Sequence, residues 1–235
     1  MEADKLNPET FAHVWLGEPL AQSNSAILSR TAVLDAMQRE VDDEGAIEIG
    51  ADIARMGDDR TVFYKRKGHR VTGHEIHTKL RTTEVCDALE RFVGGDKTIL
   101  IKVDDTGVGG GVSDEMLKRG YRVMPINFGS KAEDVDKYPN LISEAWFYLR
   151  ELLPKLQLPM DSDLLMELSS RNWKMDTKGR RAVESRDDYK KRGYRSPDLA
   201  DALILCFYSA GNVTFDYDPV PDDTMITAGL MDESF

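Results

Sequence analysis

Apolar positions change period along this chain, from alternation at every second residue to helical spacing, and the change separates predicted strands from predicted helices. Ile47, Ile49 and Ala51 alternate with other residues, and a turn-like Met56-Gly57-Asp58-Asp59 follows. Thr61-Val62-Phe63-Tyr64 and the stretch from Val71 to Ile76 read as two more strands, joined by a turn at Lys67-Gly68. Three short strands with tight turns predict an antiparallel meander. From Thr83 to Val93 the apolar residues Val85, Leu89, Phe92 and Val93 recur at helical spacing. Thr98 to Val103 is a nearly continuous apolar run ending in Asp104, the pattern of a strand covered on both faces. A helix from about Gly110 to Arg119 and a strand from Arg122 to Ile126 come next. Leu141 to Leu153 is a strongly amphipathic helix stopped by Pro154, and Asp163 to Ser169 is a shorter one. Trp173-Lys174-Met175 and Arg181-Ala182-Val183 flank Asp176-Thr177-Lys178-Gly179, a hairpin pattern. Ser196 is expected to cap a last helix with Pro197 at its first position. That helix, through Tyr208, is apolar nearly all round and should be buried.

This order of elements predicts an α/β fold: a mixed sheet with helices on both faces, followed by a hairpin and a buried helix. The first and fourth strands can then lie side by side, bringing Asp52 next to Asp104. The last helix would bring Asp198 to the same edge. Residues 1–45 read as a lead-in with one helix candidate from Thr31 to Arg39. The main domain spans 46–211, and 212–235 is an acidic tail expected to be mobile.

Composition narrows the picture. The 235 residues, 41% hydrophobic and 31% charged, fit one sizeable soluble core. No run of about 18 apolar residues exists, which excludes a transmembrane helix, and the amino terminus lacks a signal-peptide pattern. The two cysteines, Cys86 and Cys206, fall within apolar helical patterns and read as core thiols. A net charge of −11 argues against a general nucleic-acid binder. The charge is unevenly spread, however. Between Arg171 and Arg195 ten basic residues face four acidic ones, a local excess of +6. Such a tract suits either a polyanion crossing a site or a solvated charged hairpin.

Three acidic clusters carry the candidate chemistry: Asp52 with Asp58 and Asp59 behind it, Asp104-Asp105, and Asp198 with Asp201. A carboxylate at the edge of a buried element is costly unless solvated, paired or metal-bound. Convergent carboxylates repel one another, and hard divalent cations relieve the repulsion. Singly each has a structural reading, since Asp104 and Asp105 suit a turn and Asp198 suits a helix amino terminus. Asp201 sits one turn after Asp198 on the same face of a helix otherwise committed to burial. The glycines from Gly107 to Gly111 do not complete a dinucleotide fingerprint, because Val112 stands where glycine or alanine is needed. No Gly-Lys dipeptide exists, so there is no P-loop.

The segments Gly50-Ala51-Asp52 to Asp58-Asp59, Val103-Asp104-Asp105-Thr106-Gly107-Val108-Gly109, and Ser196-Pro197-Asp198-Leu199-Ala200-Asp201-Ala202-Leu203 resemble the nuclease domain of bacteriophage terminase large subunits. The stretch from Lys178 to Arg195 is similar to the basic hairpin before that family's last motif. The Asp-x-x-Asp-Ala-Leu pattern is shared with RuvC-type resolvases. The resemblance covers residues 46 to 211 and implies an RNase H-like fold. It also implies a metal-dependent endonuclease that cuts concatemeric viral DNA during packaging, with little sequence specificity. Two Mg2+ or Mn2+ ions about 3.5–4 Å apart would straddle the scissile phosphate. Asp52 would bridge them, Asp104 would hold one, and Asp198 with Asp201 the other. Asp58 is a further ligand candidate, and Asp59 and Asp105 are expected behind the ligands. Lys178, Arg180, Arg181, Lys190, Lys191 and Arg192 would contact DNA phosphates.

The implied setting is the host cytoplasm, away from membranes, with double-stranded DNA, the portal protein and the small terminase subunit as partners. Residues 1–45 resemble the linker after the family's packaging ATPase, so this chain would be an isolated, monomeric nuclease half. Two other readings stay open: a RuvC-like junction-resolving nuclease, which should dimerise and select structured DNA, and a non-catalytic packaging-motor docking module.

Overall fold

Five strands form a mixed sheet in the order β3-β2-β1-β4-β5: β1 (Ile47–Asp52), β2 (Thr61–Lys67), β3 (Arg70–His77), β4 (Leu100–Asp104) and β5 (Arg122–Ile126). This is a computed structural model, and it describes residues 25–42, 44–54, 59–107 and 109–209. The acidic tail, most of the lead-in and Asp58 lie outside them. β1, β2 and β3 pair antiparallel as the expected meander, while β4 joins β1 and β5 joins β4 in parallel. Gly50 pairs with Lys102 and Ala51 with Val103, so the next residues, Asp52 and Asp104, end adjacent strands at one edge.

Alternation along the strands divides the core into two layers. Ile49, Ala51, Phe63, Ile101, Val103 and Val123 face α2 (Thr82–Val93) and α3 (Gly109–Lys118). On the other face, Val62, Tyr64 and Ile126 pack in a core with α1 (Arg30–Gln38), α4 (Leu141–Leu152), α5 (Ser162–Ser170) and α7 (Asp198–Phe207). Cys86 and Cys206 are buried free thiols, one in each layer, as the sequence indicated. The hairpin β6 (Trp173–Met175) and β7 (Arg181–Val183) stands apart from the main sheet.

Every residue of α7 is buried, and its approach to the sheet depends on Gly50. A Cβ at Gly50 would lie 2.3 Å from Cys206 N and 2.4 Å from Ala202 O, both backbone atoms. Polar residues fix the far end of the same helix. Lys102, 1% exposed, pairs with Glu48 and donates to Tyr208 O (2.6 Å). Arg66 donates to Cys206 O (2.7 Å) and pairs with Glu48. Carbonyls at a helix carboxyl end carry partial negative charge, which these two cations offset.

The start of α7 departs from expectation. The helix begins at Asp198, Pro197 holds the cap position, and Ser196 Oγ is buried without a hydrogen-bond partner among the described residues. A first-turn amide is served from another element, because Ala200 N donates to Glu167 Oε2 of α5 at 2.9 Å. A second departure is α6 (Arg186–Lys191), a helix the apolar pattern did not predict. Ser185 caps it by accepting from Asp188 N, with Asp187 and Asp188 in its first turn. It carries one buried residue, Tyr189, too few to produce a period.

Candidate metal centre

Asp52 ends β1, Asp104 ends β4 and Asp201 lies in the first turn of α7; all three are buried, with exposures of 4%, 4% and 1%. Arg186, at the start of α6, lies among them. Its Nη2 is 3.3 Å from Asp52 Oδ1, 3.5 Å from Asp104 Oδ2 and 2.9 Å from Asp201 Oδ2, and its Nε donates to the same Asp201 oxygen at 2.9 Å. One cation thus serves three carboxylates. Asp104 Oδ1 also accepts from Thr106 N (3.0 Å), which fixes its ring-like turn against the strand end. Gly109 permits this turn: a Cβ there would sit 1.7 Å from Asp104 O.

Electrostatics follow from the crowding. Burial holds the Asp52 carboxyl well above the usual carboxylate range; Arg186 opposes this, and Asp201, Asp104 and Asp198 add to it. Burial raises Asp104 as well, against the hydrogen bond from Thr106. Asp52 and Asp201 in turn hold Arg186 firmly charged.

The four aspartates expected to act together are divided by the structure. Asp198 is engaged elsewhere, accepting from Arg60 N (2.8 Å) with Arg60 Nε at 3.6 Å. Arg60 also pairs with Glu167 and reaches Asp163 (3.6 Å). Burial pushes the Glu167 carboxyl up to about 8, although Arg60 and Ala200 N favour its charged form. One turn of α7 therefore offers a carboxylate to each of two arginines.

Asp59 forms an exposed pair with Lys190 (3.0 Å), and the Asp105 carboxylate lies beside Gly110, its N–H bonded to Ile126 O. Neither supports the three central carboxylates directly. The predicted basic hairpin is shorter than the tract: Lys190 and Lys191 lie on α6, and Arg192 caps its end. Arg192 bonds Ser170 O and Glu184 and lies over Tyr189 and Tyr194, so it serves packing. Arg180 is held by Asp176, and Lys191 by Asp188. Lys178 and Arg181 are exposed on the hairpin.

Arg186, Arg60 and Glu167 were not picked out by sequence reasoning. For Arg186 a signal existed: within the basic tract it directly follows a serine and precedes two aspartates, a helix-start pattern.

The residues fit a hard divalent cation in chemistry, being buried carboxylates with oxygen donors only. Asp201 Oδ1 is buried without a hydrogen-bond partner among the described residues, an atom such an ion would satisfy. Among the described residues, no three His, Cys, Asp or Glu side chains stand as a ready ligand set, and the Arg186 guanidinium lies between the carboxylates.

No family model and no curated protein matches the chain. Solved structures do. The nuclease domain of the large terminase subunit gp2 of bacterial virus Sf6 is similar at a TM-score of 0.68 and 19% identity, over 79% of this chain and 99% of that one. The large terminase nuclease of thermophilic phage G20c, solved with bound magnesium, is similar at 0.58 and 19% identity, over 78% and 97%. The nuclease domain of Thermus phage P74-26 follows at 0.55 and 18%, over 77% and 94%. The Sf6 domain has also been solved with manganese and with calcium, and that of G20c with cobalt. The chain has the RNase H-like fold of phage large-terminase nuclease domains.

Proposed function

We propose that this chain is a divalent-metal-dependent DNA endonuclease of the terminase type, cutting viral DNA during genome packaging. The observation that carries the proposal is the convergence of Asp52, Asp104 and Asp201, buried and from three elements, around a single cation. Such an arrangement of hard oxygen donors supports a site for Mg2+ or Mn2+, and the metals in the similar phage domains support the same reading. Bound divalent ions supply polarisation of a phosphodiester and a more acidic water.

The chain's own residues do the rest. Asp52 and Asp104, fixed on adjacent strand ends, hold their oxygens in a rigid spacing. Asp201 closes the set from α7, and its position depends on the contact of that helix with Gly50. Arg186 neutralises the carboxylates when no ion is present and withdraws when one binds. Asp198 positions Arg60, and through Arg60 and Glu167 the first turn of α7. Lys178 and Arg181 on the exposed hairpin meet DNA phosphates without reading sequence. The portal protein and small terminase subunit are the partners this role implies. Conversion of supercoiled plasmid to nicked and linear forms in Mn2+, and not in chelator, is the direct test; intact plasmid under both conditions overturns the reading.

A further inference from the structure

Arg171 is 2% exposed, yet its Nε and Nη1 are buried without a hydrogen-bond partner among the described residues. A buried guanidinium with idle donors is a costly arrangement, and it calls for a reason. The side chain is not loose. Its Cζ lies 5.8 Å from the Trp146 ring and 5.2 Å from the Tyr189 ring, and Tyr189 is itself tied to Ser170 Oγ at 2.7 Å and stacked on Tyr194. Aromatic faces offset part of the desolvation and hold the guanidinium in place, which leaves its N–H rim for a planar or tetrahedral oxyanion.

Arg171 lines a cleft of about 270 Å³ that also contains Asp104, Asp201 and Arg186, with Asn140 and Glu184 among its other walls. The same cleft thus joins two carboxylates of the candidate metal centre to an arginine with unused donors. Burial holds Arg171 below the ordinary arginine value, against the Asp201 and Glu184 charges, which favour its charged form. Charge balance alone does not account for the idle donors, because a guanidinium placed only to balance Asp201 would bond to it. Asp201 Oδ1 is instead also unpartnered.

We propose that Arg171 is the receptor for a DNA backbone phosphate beside the one that is cut. It would hold a non-bridging oxygen in the cleft while the carboxylates act on the neighbouring phosphodiester. This rests on the nuclease reading above. Arg–phosphate pairs are directional and charge-assisted, so the contact positions the strand and reads no base.

The test uses the full chain, a short fluorescein-labelled duplex and Ca2+, with anisotropy followed at several salt concentrations and melting followed in parallel. Arg171→Met should bind roughly ten-fold more weakly. Its slope of log affinity on log salt should be shallower by about one. It should melt no lower than the wild type, since an unpaired buried cation has been replaced by an apolar side chain. Arg171→Lys should keep the slope and lie between the two in affinity. Equal affinity and slope for Arg171→Met overturn the proposal. So does an Arg171→Met chain that melts lower or fails to fold, if Arg171→Lys restores melting with unaltered DNA affinity. A wild type that neither binds the duplex nor cuts plasmid in Mn2+ sinks the nuclease reading, and the subsite with it. Failure of the subsite alone shows as a wild type that binds and variants that match it.

Discussion

Arg186 Nε donates to one oxygen of Asp201 at 2.9 Å and Nη2 lies 2.9 Å from the same oxygen, while the other Asp201 oxygen is buried with no hydrogen-bond partner among the described residues. The guanidinium therefore occupies one side of a carboxylate whose other oxygen has no hydrogen-bond partner among the described residues. In Arg186→Ala, three buried carboxylates lose their common cation. The metal-free chain is expected to lose about 1–3 kcal/mol, a figure discounted for the 40% exposure of the side chain. Mn2+ should then raise the melting temperature of the variant more than that of the wild type. Equal shifts measured by scanning calorimetry would show that Arg186 and the ion do not share a place.

The two aspartates of α7 have different partners, Arg60 for Asp198 and Arg186 for Asp201. Asp201→Asn removes a carboxylate from the centre, and Mn2+ affinity should fall by more than the roughly 10–100-fold typical of an outer partner. Asp198→Asn keeps an acceptor for Arg60 N and should weaken Mn2+ binding by roughly ten-fold at most, with a stability loss of about 1–2 kcal/mol. Titration calorimetry and urea unfolding separate the two effects. Equal losses of Mn2+ affinity would return Asp198 to the metal centre.

Gly50 controls the distance between helix and sheet. In Gly50→Ala the new methyl meets the backbone at Cys206 and Ala202, and neither neighbour is a flexible side chain that could yield. A loss of about 1–3 kcal/mol or more is expected, from overpacking. Because α7 must move outward, Asp201 leaves Asp52, and plasmid cutting should fall further than the folded fraction does. Unfolding midpoints and cleavage rates that track each other one for one would contradict this coupling.

Acidity gives an independent check. Asp52, raised mainly by burial, and Asp104, raised by the same cause, bind protons more tightly in the folded state than in the unfolded one. Their contribution to metal-free stability is fully present below the unfolded carboxyl value of 3.8 and is lost as pH rises through the raised folded values. Mn2+ requires the deprotonated forms, so its affinity should rise over that same interval, with proton release. Calorimetry in two buffers of different ionisation heat measures the release, and pH-independent binding without it would refute the assignment.

The sheet was legible because apolar residues alternate along β1 and β4 is a short, nearly continuous apolar run. Ile49, Ala51, Ile101 and Val103 mark one face, and the acidic ends of β1 and β4 fall at one edge once the two strands are paired. Asp52, Asp104 and Asp201 were within reach for that reason. The division of Asp198 from Asp201 was not, since both lie on one helix face and only the position of Arg60, far away in sequence, separates them. Ser196 looked like a cap because local chemistry favours serine there, yet Glu167 of α5 serves the helix amide instead. Tertiary partners of this kind leave no local trace. The same holds for Arg171, whose buried Nε and Nη1 have no hydrogen-bond partner among the described residues.

The most direct test of the proposed centre is Mn2+-dependent nicking of supercoiled plasmid by Asp52→Asn beside the wild type, with circular dichroism confirming that both are folded. Asp52 lies at the end of the central strand and faces both neighbours across Arg186. A fall in cutting of roughly 100-fold or more is expected in the folded variant, equivalent to at least about 2.7 kcal/mol of lost transition-state stabilisation. Undiminished cutting by folded Asp52→Asn would contradict a metal centre built on these carboxylates.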